Sequence, residues 1–91
     1  MIQTYNSVAF AIVQQQEHLI GPLAWSEAKK VTGLEIKGES IEIRGDAKAV
    51  LEALVNQYSS LFGKASVEAC KDAIRGMMHE IKADELPSIL Q

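Results

Sequence analysis

Apolar residues recur at helical spacing over two stretches of this chain, and a short alternating segment separates them. The longer stretch, residues 50–81, breaks once at Leu61-Phe62-Gly63 and resumes with the same period; the shorter, residues 8–32, breaks at Leu19-Ile20-Gly21. In the shorter one, Val8, Ala9, Ile12, Val13, Gln16, Leu19 and Ile20 share one helical face, with Gln14, Gln15, Glu17 and His18 largely off it. One core-facing position, Gln16, is polar. Asn6 or Ser7 supplies a side-chain oxygen for an N-cap, so this helix is expected to start there, after a lead-in of five residues. Gly21-Pro22 then reads as a corner, because Gly closes a helix in the left-handed conformation and Pro suits the first turn of the next. The second helix is expected from Leu23 to Val31, with Ala24, Ala28 and Val31 inward and Leu23 and Trp25 on its flank.

Leu34 to Arg44 alternates apolar and polar residues on both sides of Gly38-Glu39, which predicts a β-hairpin. A two-residue loop with Gly first suits a type II′ turn and pairs Ile36 with Ile41 and Leu34 with Ile43, all on one face. The other face opposes Glu35 to Glu42, a repulsion that Lys37 and Arg44 relieve on the diagonal. Asp46 is placed to cap a third helix whose face is Ala47, Val50, Leu51, Leu54, Val55, Tyr58, Leu61 and Phe62. After Gly63 a fourth helix is expected from Lys64 to Lys82, interrupted by Gly76 and carrying Ser66, Cys70, Ala73, Ile74, Met77, Met78 and Ile81 along one stripe. The tail, Ala83 to Gln91, docks through Leu86, Ile89 and Leu90 or frays.

Shifting the chain by 42 residues lays Val8 on Val50, Val13 on Val55, Leu19 on Leu61, Gly21 on Gly63 and Lys29 on Lys71, and the two apolar faces stay in step. The reading is of an internal repeat. The fold class expected is therefore mostly α with a β-hairpin, in the order α-α-β-β-α-α. One domain spans residues 1–91: a helical hairpin over 6–32, a ribbon over 34–44, a second helical hairpin over 46–82 and a tail over 83–91.

Within this frame, Leu19-Ile20-Gly21-Pro22-Leu23-Ala24 resembles the Leu-x-Gly-Pro-x-Ala turn of small helical domains appended to bacterial serine/threonine kinases and response regulators. Those are interaction domains without known catalysis, so the resemblance implies a regulatory role in signalling. It covers about a quarter of the chain, and Lys64 replaces the proline in the second copy.

Composition narrows the function classes. At 91 residues the chain is one domain that buries roughly 60–65% of its unfolded surface, so association would stabilise it. Its net charge of −3 disfavours nucleic acid as a partner. The longest uninterrupted apolar run, Val8 to Val13, is far short of the roughly 20 residues that span a bilayer, and the N-terminus lacks signal-peptide features. A soluble, cytoplasmic protein is expected.

Candidate chemistry is sparse. Cys70 is the only thiol and lies on the apolar stripe of the fourth helix, where a small core residue is expected. His18 and His79 have no second ligand at metal-site spacing, and Glu35 with Glu42 reads as a solvated ribbon face. Gly45-Asp46 and Gly63-Lys64 precede helix N-termini but lack the longer glycine-rich loop that cradles phosphate. No catalytic residue, metal ligand or cofactor is assigned.

The expected function is a non-enzymatic protein-protein interaction domain that homodimerises and binds a protein partner. Leu34, Ile36, Ile41 and Ile43 are its expected interface, with Trp25, Met77 and Met78 as anchors. Two alternatives remain. A winged helix-turn-helix would use Lys29, Lys30, Lys37 and Arg44 as a basic edge, against the negative charge and the presence of only two arginines. A small thiol-dependent enzyme would use Cys70.

Overall fold

The computed structural model describes residues 2–38, 40–77 and 86–90. Two helical hairpins flank a two-stranded antiparallel ribbon. Helices α1 (Ile2–Ile20) and α2 (Leu23–Ala28) precede strands β1 (Leu34–Lys37) and β2 (Ser40–Ile43), and α3 (Ala47–Phe62) and α4 (Lys64–Arg75) follow. A 3-10 turn, Ser88–Leu90, ends the described chain. The order α-α-β-β-α-α is the one the hydrophobic pattern predicts.

α1 starts four residues before the expected cap. Tyr5 packs against the core one turn ahead of Val8 and Ala9, so the apolar face begins inside the presumed lead-in. Asn6 is therefore an interior helix residue, and its Oδ1 accepts from the Ile43 amide at 2.9 Å, closing the outer edge of β2 instead of capping α1. At the third helix the expected cap is present: Asp46 Oδ1 accepts from the amides of Lys48 and Ala49 at 3.1 and 3.3 Å.

α2 ends at Ala28, three residues earlier than expected. The chain then turns through Val31, which is buried, to Gly33 at φ +91. A Cβ at Gly33 would sit 2.7 Å from Val50 Cγ2 and 3.0 Å from the Arg44 carbonyl, so the ribbon can enter beside α3 only without a side chain there. The ribbon register is the predicted one, Leu34 with Ile43 and Ile36 with Ile41. On its outer face Arg44 bridges Glu35 at 2.6 Å and Glu42 at 3.6 Å, which is the expected relief of the opposed carboxylates. The turn type expected at Gly38-Glu39 involves Glu39, outside the described residues.

The core joins all elements. Val8, Ala9, Ile12 and Val13 of α1 meet Val50, Leu51, Leu54, Val55 and Tyr58 of α3, with Ala24, Ala28, Cys70 and Ile74 completing it. Residues 42 apart share burial through the first hairpin's length: Val8 and Val50, Ile12 and Leu54, Gln16 and Tyr58, Ala28 and Cys70 are all buried. α1 and α3 end at Ile20 and Phe62, also 42 apart, and each is followed by a glycine in the left-handed region, Gly21 at φ +72 and Gly63 at φ +81. Leu86 and Leu90 are buried, so this part of the tail docks, against α3 and α4. The fourth helix ends at Arg75, short of the expected Lys82, with Gly76 and Met77 in a turn, and residues 78–85, Met78, His79 and Ile81 among them, lie outside the described set.

Candidate interaction surface

Two buried hydrogen bonds bring the helical corners to one end of the molecule. Gln16, one turn before the end of α1, donates through Nε2 to the Ser66 carbonyl in the first turn of α4 at 3.0 Å. Tyr58, one turn before the end of α3, donates through its hydroxyl to the Ala24 carbonyl in α2 at 2.6 Å. Gln57 adds a third tie, donating to Glu27 Oε1 at 2.8 Å. The corner at Gly21 and the corner at Gly63 thus face the same way.

Among the described residues the large apolar side chains that remain exposed belong to these corners. Leu19 is 58% exposed, Leu23 45%, Leu61 52% and Phe62 36%. The hydrophobic pattern places Leu19, Leu61 and Phe62 on core faces. The 3.6-residue period does carry those faces to the helix ends, but the fully buried positions on them stop one turn earlier, at Gln16 and Tyr58, and beyond these only Ile20 still packs in part against the core. Leu19, Leu61 and Phe62 project past that layer. Trp25 lies nearby in sequence but is half-buried, stacked edge to face on Phe10 with ring centroids 6.1 Å apart.

The residues expected to carry association are distributed differently. Leu34, Ile41 and Ile43 are buried in the chain's own core, because β2 lies along α1 and the ribbon's inner face meets the helices. They present almost no surface to a partner. Ile36, Trp25 and Met77 are partly buried against the same core, and Met78 is outside the described residues.

The buried polar groups are internal ties. Glu27 sits beneath the α2 turn, and the Gln57 amide, followed by Lys30 at 3.1 Å, holds its carboxyl below the usual carboxylate range. Cys70 is fully buried, and burial pushes its thiol up to about 11, although the Gln16 amide at 3.3 Å opposes the shift. Such a thiol holds almost no thiolate at neutral pH. Tyr58 is likewise raised, by burial first and then by Cys70 and Glu27. Among the described residues no three His, Cys, Asp or Glu side chains stand close enough to hold a metal ion. A shallow cleft of about 330 Å³ is lined by Asp46, Lys48, Ala49, Glu52, Pro87 and Ser88, with Asp46 already engaged as a helix cap.

The geometry also bears on the basic edge. α2 has six residues, Lys30 is paired with Glu27, and Arg44 is paired with Glu35 and Glu42. Among the described residues no helix is long and apolar enough to cross a membrane. No family model, curated protein or solved structure matches this chain.

Proposed function

We propose that this chain is a small protein-protein interaction domain, regulatory and without a reaction of its own, that self-associates and docks a protein partner at the corner formed by Leu19, Leu23, Leu61 and Phe62. The exposure of these four side chains, two beside each helical corner, carries the reading, since large apolar residues left exposed on a small domain mark contact sites. Covering side chains that are roughly half exposed is worth about 1 kcal/mol each, so the corner supplies about 4 kcal/mol toward docking. The ties through Gln16, Tyr58 and Gln57 hold both corners in place before contact, which lowers the ordering cost of association.

Leu19 and Leu23 belong to the segment that resembles the interaction domains of bacterial kinases and response regulators. The partner is accordingly a signalling protein, and the setting is the bacterial cytoplasm. The test is site-specific photo-crosslinking in cells that express the chain natively. A photoreactive group at Leu61 is expected to give one defined protein adduct, which Leu19→Ser with Leu23→Ser abolishes, whereas the same group at Glu52 gives none. Equal labelling from both positions, or an adduct indifferent to the two serines, refutes the corner as the docking site.

A further inference from the structure

The ribbon's two outer edges differ in what covers them: among the described residues β2 lies along α1, and β1 has no comparable contact with a helix. The 2.7 Å bond from the Arg44 amide to the Gly33 carbonyl makes those two a hydrogen-bonded pair. Alternation along the ladder then makes Glu35 with Glu42 hydrogen-bonded, and Leu34 with Ile43 and Ile36 with Ile41 non-hydrogen-bonded. Residues of the second kind aim their main-chain groups away from the neighbouring strand. On the β2 side the Ile43 amide meets Asn6 Oδ1. On the β1 side the Leu34 amide donates to the Val31 carbonyl at 3.2 Å, whereas the Ile36 amide and carbonyl have no hydrogen-bond partner among the described residues. β1 is held chiefly by β2, on the side of the ribbon away from α1.

We propose that β1 pairs antiparallel with β1 of a second copy of this chain about a twofold axis through Ile36, joining two ribbons into a four-stranded sheet. This deepens the self-association in the interaction-domain reading, which it rests on, but uses a surface separate from the apolar corner. The Ile36 amide and carbonyl exchange two hydrogen bonds with those of Ile36 in the second copy. The side chain of Ile36, left partly exposed while Leu34, Ile41 and Ile43 are buried, gains its twofold mate as a neighbour.

Charge selects both the occupant and the register. β1 reads Leu-Glu-Ile-Lys, a self-complementary sequence. Centred on Ile36, Glu35 of each copy faces Lys37 of the other, and in non-hydrogen-bonded pairs such side chains lie close. Centred on Glu35 or on Lys37, identical charges meet instead. The Glu35-centred register also needs the Leu34 amide, which Val31 already holds. A slip of one residue would set Ile36 against Glu35 and turn the two ribbons' apolar faces to opposite sides of the sheet. In the Ile36-centred dimer each Glu35 lies between its own Arg44 and the second copy's Lys37.

The experiment is sedimentation equilibrium of the full chain up to about 0.5 mM, the range that suits an interface smaller than standard size. The wild type is expected to be a dimer in reversible exchange. Glu35→Lys and Lys37→Glu each replace two attractive cross-strand pairs by two repulsive ones, and each is expected to weaken self-association by about tenfold or more at low salt. An equimolar mixture of the two variants restores opposite charges at every pair and is expected to recover wild-type association as a heterodimer. Circular dichroism of each variant checks that the monomer fold is kept. A monomeric wild type, unchanged association in either variant, or a mixture that stays monomeric overturns the proposal. Loss of self-association in Leu61→Ser, with both charge variants still dimeric, also overturns it and assigns the dimer to the corner. The photo-crosslinking result at Leu61 stands or falls independently of these outcomes.

Discussion

Replacing Gln16 by Met is expected to stabilise the fold. Gln16 is fully buried between α1 and α4, its Nε2 donates at 3.0 Å to the Ser66 carbonyl and at 3.3 Å to Cys70 Sγ, and its Oε1 has no partner. The carbonyl of Ser66 fixes the amide orientation, since exchanging the two terminal atoms would set oxygen against oxygen. That carbonyl also lies in the first turn of α4, where it is the acceptor for the amide four residues on, so it keeps a partner when Gln16 is lost. Removing the amide thus forfeits one neutral hydrogen bond of about 1 kcal/mol and a weaker contact to sulfur. Against that stand the cost of a buried unpaired oxygen, about 1–3 kcal/mol, and the better transfer of a thioether into an apolar site. Met has a similar length and an unbranched chain that adapts to the same space.

The net expectation is a gain of about 1 kcal/mol. With a urea m-value of about 1 kcal/mol/M for a chain of this size, the unfolding midpoint rises by about 1 M. Gln16→Glu is the companion variant. It places a carboxylate in the same site, should cost about 3 kcal/mol at pH 7, and should regain stability as the pH is lowered, because burial raises the folded-state pKa and favours the neutral acid. A midpoint that falls in Gln16→Met would refute the argument by showing that Oε1 has a partner worth more than the apolar exchange. A Gln16→Glu variant with wild-type stability at pH 7 would refute the dryness of the site.

Three further outcomes follow from the same packing. Gly33→Ala should destabilise by about 3 kcal/mol or more, from φ +91 strain and the 2.7 Å approach to Val50, and a loss below about 1 kcal/mol in urea unfolding would contradict it. Asp46→Ala should cost about 1 kcal/mol by thermal melting, since two amides of α3 lose their acceptor, whereas Asp46→Asn should lose much less. Stability should fall as the pH rises from about 9 to 11, because the unfolded chain releases the Cys70 proton near its ordinary value of 9.0 while the folded chain holds it to about 11; the two-unit difference is on the order of 2 kcal/mol, Tyr58 adds in the same direction, and a Cys70→Ala profile as steep as the wild type would sink this assignment.

Where a residue's task is local, its sequence neighbourhood discloses it. Asp46 caps α3 because the capping geometry needs only the next three residues, and the ribbon register follows from alternation around a two-residue loop. Asn6 shows the opposite case. Its amide is as good an N-cap as any, but its acceptor is used by Ile43, 37 residues away, and no local pattern separates the two uses. The end of α2 is hidden for a similar reason: Val31 continues the helical period, yet the tight approach of Gly33 to Val50 and Arg44 turns the chain before it can be helical.

The corner carries this one step further. Hydrophobic periodicity reports which side of a helix is apolar and says nothing of how far along its axis the core extends. Leu19, Leu61 and Phe62 satisfy the period as well as Ile12 and Leu54 do, and nothing in their spacing distinguishes a last core layer from an exposed overhang. What distinguishes them is the layer beneath. Gln16 and Tyr58, at equivalent places in the two hairpins, turn their polar atoms to the carbonyls of Ser66 and Ala24 and so close the core with hydrogen bonds. Leu19, Leu61 and Phe62 lie beyond that layer and stay exposed. A polar residue on an otherwise apolar helical face, followed by further apolar positions in step, is then a sequence signal of its own: it separates what the fold buries from what the fold offers to another molecule.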